Sequence, residues 1–255
     1  MIFETHAHYD DEQFDEDREE LLLSLRDNGI EYVVNIGSSI ETSKNTLELT
    51  KKYSHVYGAV GVHPNETEEL NQSSFDLLKK MTQEPKIAAI GEIGLDYYWK
   101  EPEPVIQKEW FDRQMSLAKE VKLPIVIHSR DAAKDTIDMM NGAGARDIGG
   151  VIHCYSYSLE TAKIFLNMGF YLGIGGVVTF NNAKKLKEVV DYAPLDRLLL
   201  ETDCPYLAPV PFRGKRNSSL YIPHIASEIA KIKNIDYNEV IRVTMENAKS
   251  MYKIS

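Results

Sequence analysis

Cysteine is scarce. Only Cys154 and Cys204 occur in 255 residues, so no disulfide framework holds this chain together and a reducing compartment suits it. Long apolar runs are missing as well. One uncharged stretch, Ile164 to Ala183, has the length to span a bilayer, but Asn167, Asn181, Asn182 and four glycines interrupt it. It reads as a helix end, a turn and a buried strand. The opening MIFETHAHYD has neither a basic stretch nor an apolar core, which argues against a signal peptide. Positive charge is in deficit: 29 Lys and Arg against 39 Asp and Glu leave a net charge of -10. A broad basic face for coating nucleic acid is therefore excluded, and any phosphate contact must be local, through a metal ion or a short basic loop. No Pro/Gly-rich linker, charge block or low-complexity tract divides the chain. The expectation is a soluble cytoplasmic protein, one domain over residues 1–255, with no membrane contact and no obligate protein partner.

What is present is an alternation. Short apolar β-rich runs are predicted at Ile2–Thr5, Tyr32–Ile36, Val56–Val60, Ile87–Ile90, Ile125–Ile127, Val151–Ile152, Phe170–Ile174 and Arg197–Leu200. Amphipathic stretches separate them. The first carries Phe14, Leu21, Leu22 and Leu25 on one face and stops at Asn28-Gly29. A long helix is expected after Pro104, and two helices close the chain. Alternating strands and helices imply parallel pairing with right-handed crossovers. In this length they predict an α/β fold, a (β/α)8 TIM barrel.

The polar residues are placed unevenly. His6 and His8 follow the first run, His63 the third, Glu92 the fourth, His128 the fifth, His153 the sixth and Asp203 the eighth. In a parallel barrel these strand ends share one face, where barrel enzymes build their active sites. His6-Ala7-His8 puts two imidazoles on the same side of an extended chain. Imidazoles with carboxylates suit Zn or Mn, and Mg less well. Glu92 has two oxygens and can bridge two ions; His128 and His153 would complete one shell, and His6, His8 and Asp203 the other. Two ions about 3.5–4 Å apart clamp a bridging hydroxide and a phosphoryl or carbonyl oxygen. Asp203 and Glu92 are therefore the catalytic candidates as well as ligands, with Asp203 as general base.

Each motif also has a plainer reading: a surface strand for His-x-His, a turn for Asp203-Cys204-Pro205, packing for both cysteines. All of these would have to hold together to defeat the joint pattern. His63 and Arg130, on the same face, are substrate-binding candidates. His55 precedes its strand, at the wrong end for catalysis, and His224 reads as a cap or packing residue. Gly173-x-Gly175-Gly176 lacks the third glycine of a dinucleotide fingerprint. Arg213-Gly214-Lys215-Arg216-Asn217 is a short basic loop after the eighth strand, and such loops often bind phosphate. Arg213, Lys215 and Arg216 are therefore also substrate-binding candidates.

These residues resemble the TatD-like metal-dependent hydrolases, within the wider amidohydrolase and phosphotriesterase-like barrel group. The matching segments are Glu4-Thr5-His6-Ala7-His8, Gly61-Val62-His63-Pro64, Gly91 to Tyr98, Pro124 to Arg130, His153-Cys154-Tyr155-Ser156, Leu200 to Leu207 and Arg213 to Asn217. The resemblance covers essentially the whole chain. It implies a (β/α)8 barrel with one ion held by His6, His8, Glu92 and Asp203, and a second by Glu92, His128 and His153. It also implies a deoxyribonuclease, often an exonuclease dependent on Mg or Mn, acting on DNA ends, short single strands or nucleotides. Glu4 stands where Asp is usual in the family, Ala7 where Cys is frequent, and Tyr157 where Gly is usual. Tyr157 is expected to narrow the mouth or to stack on a base. The competing readings are hydrolysis of a small C–N or ester bond, as in amidohydrolases, and a non-catalytic metal-binding scaffold.

Overall fold

The computed structural model of the chain describes residues 1–254. Eight strands lie side by side in chain order, each parallel to the next. They are β1 (Ile2–Ala7), β2 (Ile30–Ile36), β3 (Val56–Val60), β4 (Ile87–Asp96), β5 (Ile125–Arg130), β6 (Gly150–Ile152), β7 (Tyr171–Ile174) and β8 (Leu198–Leu200). The ring closes between its first and last members. Ala7 bridges Cys204, the Thr5 hydroxyl donates to Leu200 O at 2.8 Å, and the Asp203 amide donates to His6 O at 2.9 Å. The predicted TIM barrel is therefore the observed fold.

Helices fill each return: α1 (Arg18–Ser24), α2 (Ile40–Lys52), α3 (Gln72–Met81), α4 (Pro104–Val121), α5 (Ala133–Gly142), α6 (Leu159–Asn167), α7 (Lys184–Tyr192), α8 (Ile222–Lys233) and α9 (Tyr237–Tyr252). Their starts follow local chemistry. Ser39 and Asn71 cap α2 and α3 through reciprocal bonds with Thr42 and Ser74, and Pro104 opens α4, where a missing N–H costs nothing. The first amphipathic stretch forms less helix than its pattern predicts, because only Arg18–Ser24 is α-helical and 3-10 turns flank it. Asp11 caps the preceding turn, and the Arg18 guanidinium bonds the carbonyls of Tyr9, Asp10 and Asp11. That loop is thereby held at the barrel mouth instead of joining the helix.

Two large apolar clusters make most of the core, with a small third one at Val62, Leu70 and Trp110. The larger packs the outer strand faces against the helices. The smaller joins Phe3, Val34, Ala59, Ala89, Val126, Val151 and Leu199, which come from seven strands and can meet only inside the barrel. Met251, Tyr252 and Ile254 join that cluster, and the Tyr252 hydroxyl donates to Thr5 O at 2.8 Å. The C-terminal segment thus plugs one end and leaves polar chemistry to the other. Among the described residues no helix is long and apolar enough to cross a membrane.

Three strands run past the expected C-terminal ends of their apolar runs: β1 through His6, β4 through Glu92 to Asp96, and β5 through His128 to Arg130. A polar side chain ends an apolar run in the sequence, but it does not interrupt the backbone ladder that defines a strand. His6, Glu92 and His128 therefore sit on strand backbone, a stiffer base than a loop.

Candidate metal centre

The barrel mouth holds five imidazoles around one carboxylate, and the two oxygens of that carboxylate face different partners. Glu92 is 4 % exposed. Its Oε2 lies 3.5 Å from His6 Nε2 and 3.9 Å from His8 Nε2. Asp203 Oδ1 completes that side, 3.6 Å from His6 Nε2 and 3.3 Å from His8 Nε2. Glu92 Oε1 turns the other way, to His128 Nδ1 at 2.9 Å, His153 Nε2 at 3.4 Å and His63 Nε2 at 3.8 Å. The expected ligands His6, His8, Glu92, His128, His153 and Asp203 are all brought together, and His63 with them.

The donor set fits a divalent cation. His6 Nε2 and His8 Nε2 lie 3.1 Å apart, so their lone pairs must share a proton or point at one cation. His6, His8 and Asp203 form one cluster with metal-ligating spacing, and His63, Glu92 and His128 another. The far side of three of these imidazoles faces a partner, whereas His6 Nδ1 is buried without one among the described residues. His8 Nδ1 meets Ile36 O at 2.9 Å, His128 Nε2 meets Asp96 Oδ2 at 3.0 Å, and His153 Nδ1 lies 3.3 Å from Glu201 Oε1. The last contact is within ion-pair reach but off the hydrogen-bonding direction, and His153 Nδ1 makes no hydrogen bond. Such partners orient a ligating ring and raise its basicity.

The electrostatics follow from burial and crowding. Burial opposes the Glu92 charge, yet His153, His128 and His6 hold its carboxyl well below the usual range. Asp203 is likewise held down, against its burial, by His8, His153 and His6. Burial pulls His8 down, but Asp203 and Glu92 overcome this and raise it to about 9. Burial also opposes the charge on His153, which Glu201 and Glu92 nevertheless push up to about 10. His6 is lowered by burial and by the neighbouring His153. His63 falls to about 3 through burial and the charge of His128.

These directions set a pH dependence for metal-stripped protein. His8 and His153 contribute stability that is present below 6.5 and lost as pH rises through about 9 and about 10. An ion binds their deprotonated forms, so metal uptake at neutral pH is expected to release protons and affinity to rise toward pH about 9. Calorimetric titration in buffers of different ionisation enthalpy measures this; pH-independent uptake would contradict it.

Asp96 and Glu201 were not singled out from the sequence, although a signal was present. Asp96 lies four residues beyond Glu92 on one strand, and Glu201 two before Asp203, the even spacing that also pairs His6 with His8. Gly173 has a use unrelated to nucleotide binding: a Cβ there would lie 2.1 Å from Glu201 Oε2. Gly173→Ala is expected to push Glu201 off His153 and weaken metal binding about 10- to 100-fold, with the circular dichroism of the native fold retained.

The centre forms the floor of a cleft of about 830 Å³. His63 and Arg130 line it, as do Asn65, Trp99 and Tyr206, and Asp10, Asp11, Glu12 and Glu41 form an acidic wall. Arg213, Lys215 and Arg216 are not among its lining residues. The expectation that they reach substrate phosphates meets a different arrangement. The Arg216 guanidinium is bound to both oxygens of Asp17 and to Gln13 O and lies over Phe14, and Arg213 packs over Phe180. A basic run in sequence does not reveal that one of its charges is already neutralised. Arg216→Ala is expected to lower stability by under about 1 kcal/mol, seen as a small fall in Tm, with KM unchanged.

Tyr157 also differs from expectation. Its hydroxyl bonds Ser129 Oγ at 2.9 Å and the Ala132 amide at 3.1 Å, so it braces the turn after β5 and does not line the cleft. Cys204 is fully buried, while Cys154 is half-buried with its sulfur clustered near His153 and Asp203. His55 is buried beside Tyr53 at the N-terminal end of β3, and His224 is exposed, edge-on to Phe212.

Comparison with known proteins agrees with this geometry. The chain matches the TatD related DNase family over residues 3–253. It is 44% identical over 255 residues to "Uncharacterized metal-dependent hydrolase YabD" of Bacillus subtilis, covering 100% of both chains. It is 29% identical to "3'-5' ssDNA/RNA exonuclease TatD" of Salmonella typhimurium, covering 99% of each. The crystal structure of YJJV, a TatD homolog from Escherichia coli K12, superposes with a TM-score of 0.94 at 28% identity, covering 100% of this chain and 98% of that one. The chain belongs to the TatD related DNase family of metal-dependent hydrolases.

Proposed function

We propose that the chain is a divalent-metal-dependent phosphodiesterase that shortens single-stranded nucleic acid from an end. The observation that carries this reading is the division of Glu92, with Oε2 toward His6, His8 and Asp203 and Oε1 toward His128 and His153. A carboxylate placed this way is suited to join two ions, and the imidazole-rich set favours Zn or Mn over Mg. The Salmonella relative named as an exonuclease supports the substrate class. The two free thiols suit a cytoplasmic setting.

Divalent ions held here would polarise the phosphoryl group and bring the pKa of a water toward about 7. Asp203, held ionised, takes the proton of the attacking water. His63 is neutral, and its Nδ1 accepts from the Asn65 amide at 3.2 Å, so its proton is on Nε2. That N–H donates to a phosphoryl oxygen. Arg130, exposed at the rim, meets a neighbouring phosphate. The acidic wall favours a second reading, a small substrate with few phosphates or an amide, since it repels a polyanion.

The test is hydrolysis by metal-stripped protein reloaded separately with Mg, Mn or Zn. It is offered end-labelled single-stranded DNA beside a small phosphodiester and a cyclic amide. Metal-dependent release of mononucleotides supports the nuclease. Turnover of the small substrates alone moves the assignment to the second reading.

A further inference from the structure

A second hollow, of about 690 Å³, opens beside the metal cleft, and Asn65 and Trp99 line both. Tyr98, Lys100 and Glu101 complete its lining. The turn that carries Trp99 begins at Asp96, whose carboxylate holds His128, so the hollow is tied to the centre by three residues of chain.

Its chemistry is unusual for a surface turn. Trp99 is 56% exposed and Tyr98 54%, whereas the chain's other tryptophan, Trp110, is 6% exposed. The Trp99 and Tyr98 rings meet edge to face at 5.0 Å, and the Arg130 guanidinium covers Tyr98 at 3.7 Å. Among the described residues no ring lies parallel to Trp99 and no cation covers it. The Asn65 side chain makes no hydrogen bond to a described residue: its Oδ1 is buried without a partner, and its amide nitrogen is the atom left open to a ligand. An exposed flat ring beside an unsatisfied amide is the equipment for holding a nucleobase by its face and reading its edge. Charge points the same way. A phosphate chain leaving the centre is repelled by Asp10, Asp11, Glu12 and Glu41, and on this side meets Arg130 and Lys100 against the single carboxylate of Glu101.

We infer that this hollow is a nucleobase subsite. The base next to the scissile phosphate stacks on Trp99, the Asn65 amide meets its edge, and Lys100 and Arg130 meet the flanking backbone. The inference rests on the nuclease reading above.

Trp99 is exposed, so Trp99→Ala is expected to leave the fold unchanged. With metal-loaded enzyme and end-labelled single-stranded DNA, KM should rise on the order of ten- to a hundredfold with kcat unchanged, and Trp99→Phe should restore most of the loss. An oligonucleotide abasic at that position should cost the wild type the same factor, and Trp99→Ala should then cost nothing further. Titration with a phosphorothioate-ended oligonucleotide should quench the fluorescence of the wild type and not that of Trp99→Ala. Equal KM for wild type and Trp99→Ala on DNA, or a loss that persists on the abasic strand, overturns the subsite and leaves the nuclease standing. Absence of metal-dependent DNA hydrolysis by the wild type overturns the nuclease reading, and the subsite with it.

Discussion

Glu92→Gln is expected to lower kcat about 10³-fold or more and to remove bound metal, with the barrel intact. The substitution conserves shape, so the 4 % exposed side chain still fits. What changes is chemistry on both sides at once. One oxygen becomes an amide that donates rather than ligates, and the negative charge among His6, His8, His63, His128 and His153 disappears. The stability effect has a defined sign. A carboxyl held below its usual value of 4.5 contributes stability that is present above that pH and lost as pH falls through the lower folded value. Metal-stripped Glu92→Gln should therefore be less stable than stripped wild type at neutral pH, with the difference fading in acid. Metal content and kcat near wild-type values in Glu92→Gln would contradict the role assigned to this residue.

The second large effect belongs to Asp203. Asp203→Asn is expected to reduce kcat about 10²- to 10⁴-fold, the usual worth of a positioned general base. It should also flatten the acid limb of the pH–rate profile. The side chain makes its closest approaches on one side of the centre, 3.3 Å from His8 Nε2 and 3.6 Å from His6 Nε2, with His153 farther off. The variant should therefore weaken the ion proposed beside His6 and His8 more than the one proposed beside His128 and His153. Its backbone is left-handed, with φ of 60°, a conformation that asparagine tolerates well. Folding is thus preserved and the loss reads as chemistry. Wild-type kcat with an unchanged pH profile would remove Asp203 from the mechanism.

Much of this was legible because a parallel barrel gathers strand ends on one face. The strand order, the convergence of His6, His8, Glu92, His128, His153 and Asp203, and the position of His63 and Arg130 all follow from apolar runs punctuated by polar residues. The less legible features depend on side-chain pairing across long separations. Asp17 lies far from Arg216 in sequence, so nothing local announces that they neutralise each other. Tyr157 is drawn to Ser129 on a neighbouring strand, a contact set by the β5–β6 pairing. Gly173 suggests a turn until the Glu201 carboxylate is found where its Cβ would be. Trp99 follows the strand that carries Glu92, but its exposure cannot be read from its identity, since Trp110 is buried.

Glu92 is proposed to join two ions at one centre. Electron paramagnetic resonance of stripped protein titrated with Mn tests it most directly. Activity and a spin-coupled signal are expected to rise together to two equivalents, and Glu92→Gln to abolish the coupled signal. An uncoupled signal throughout, with full activity at one equivalent, would contradict it.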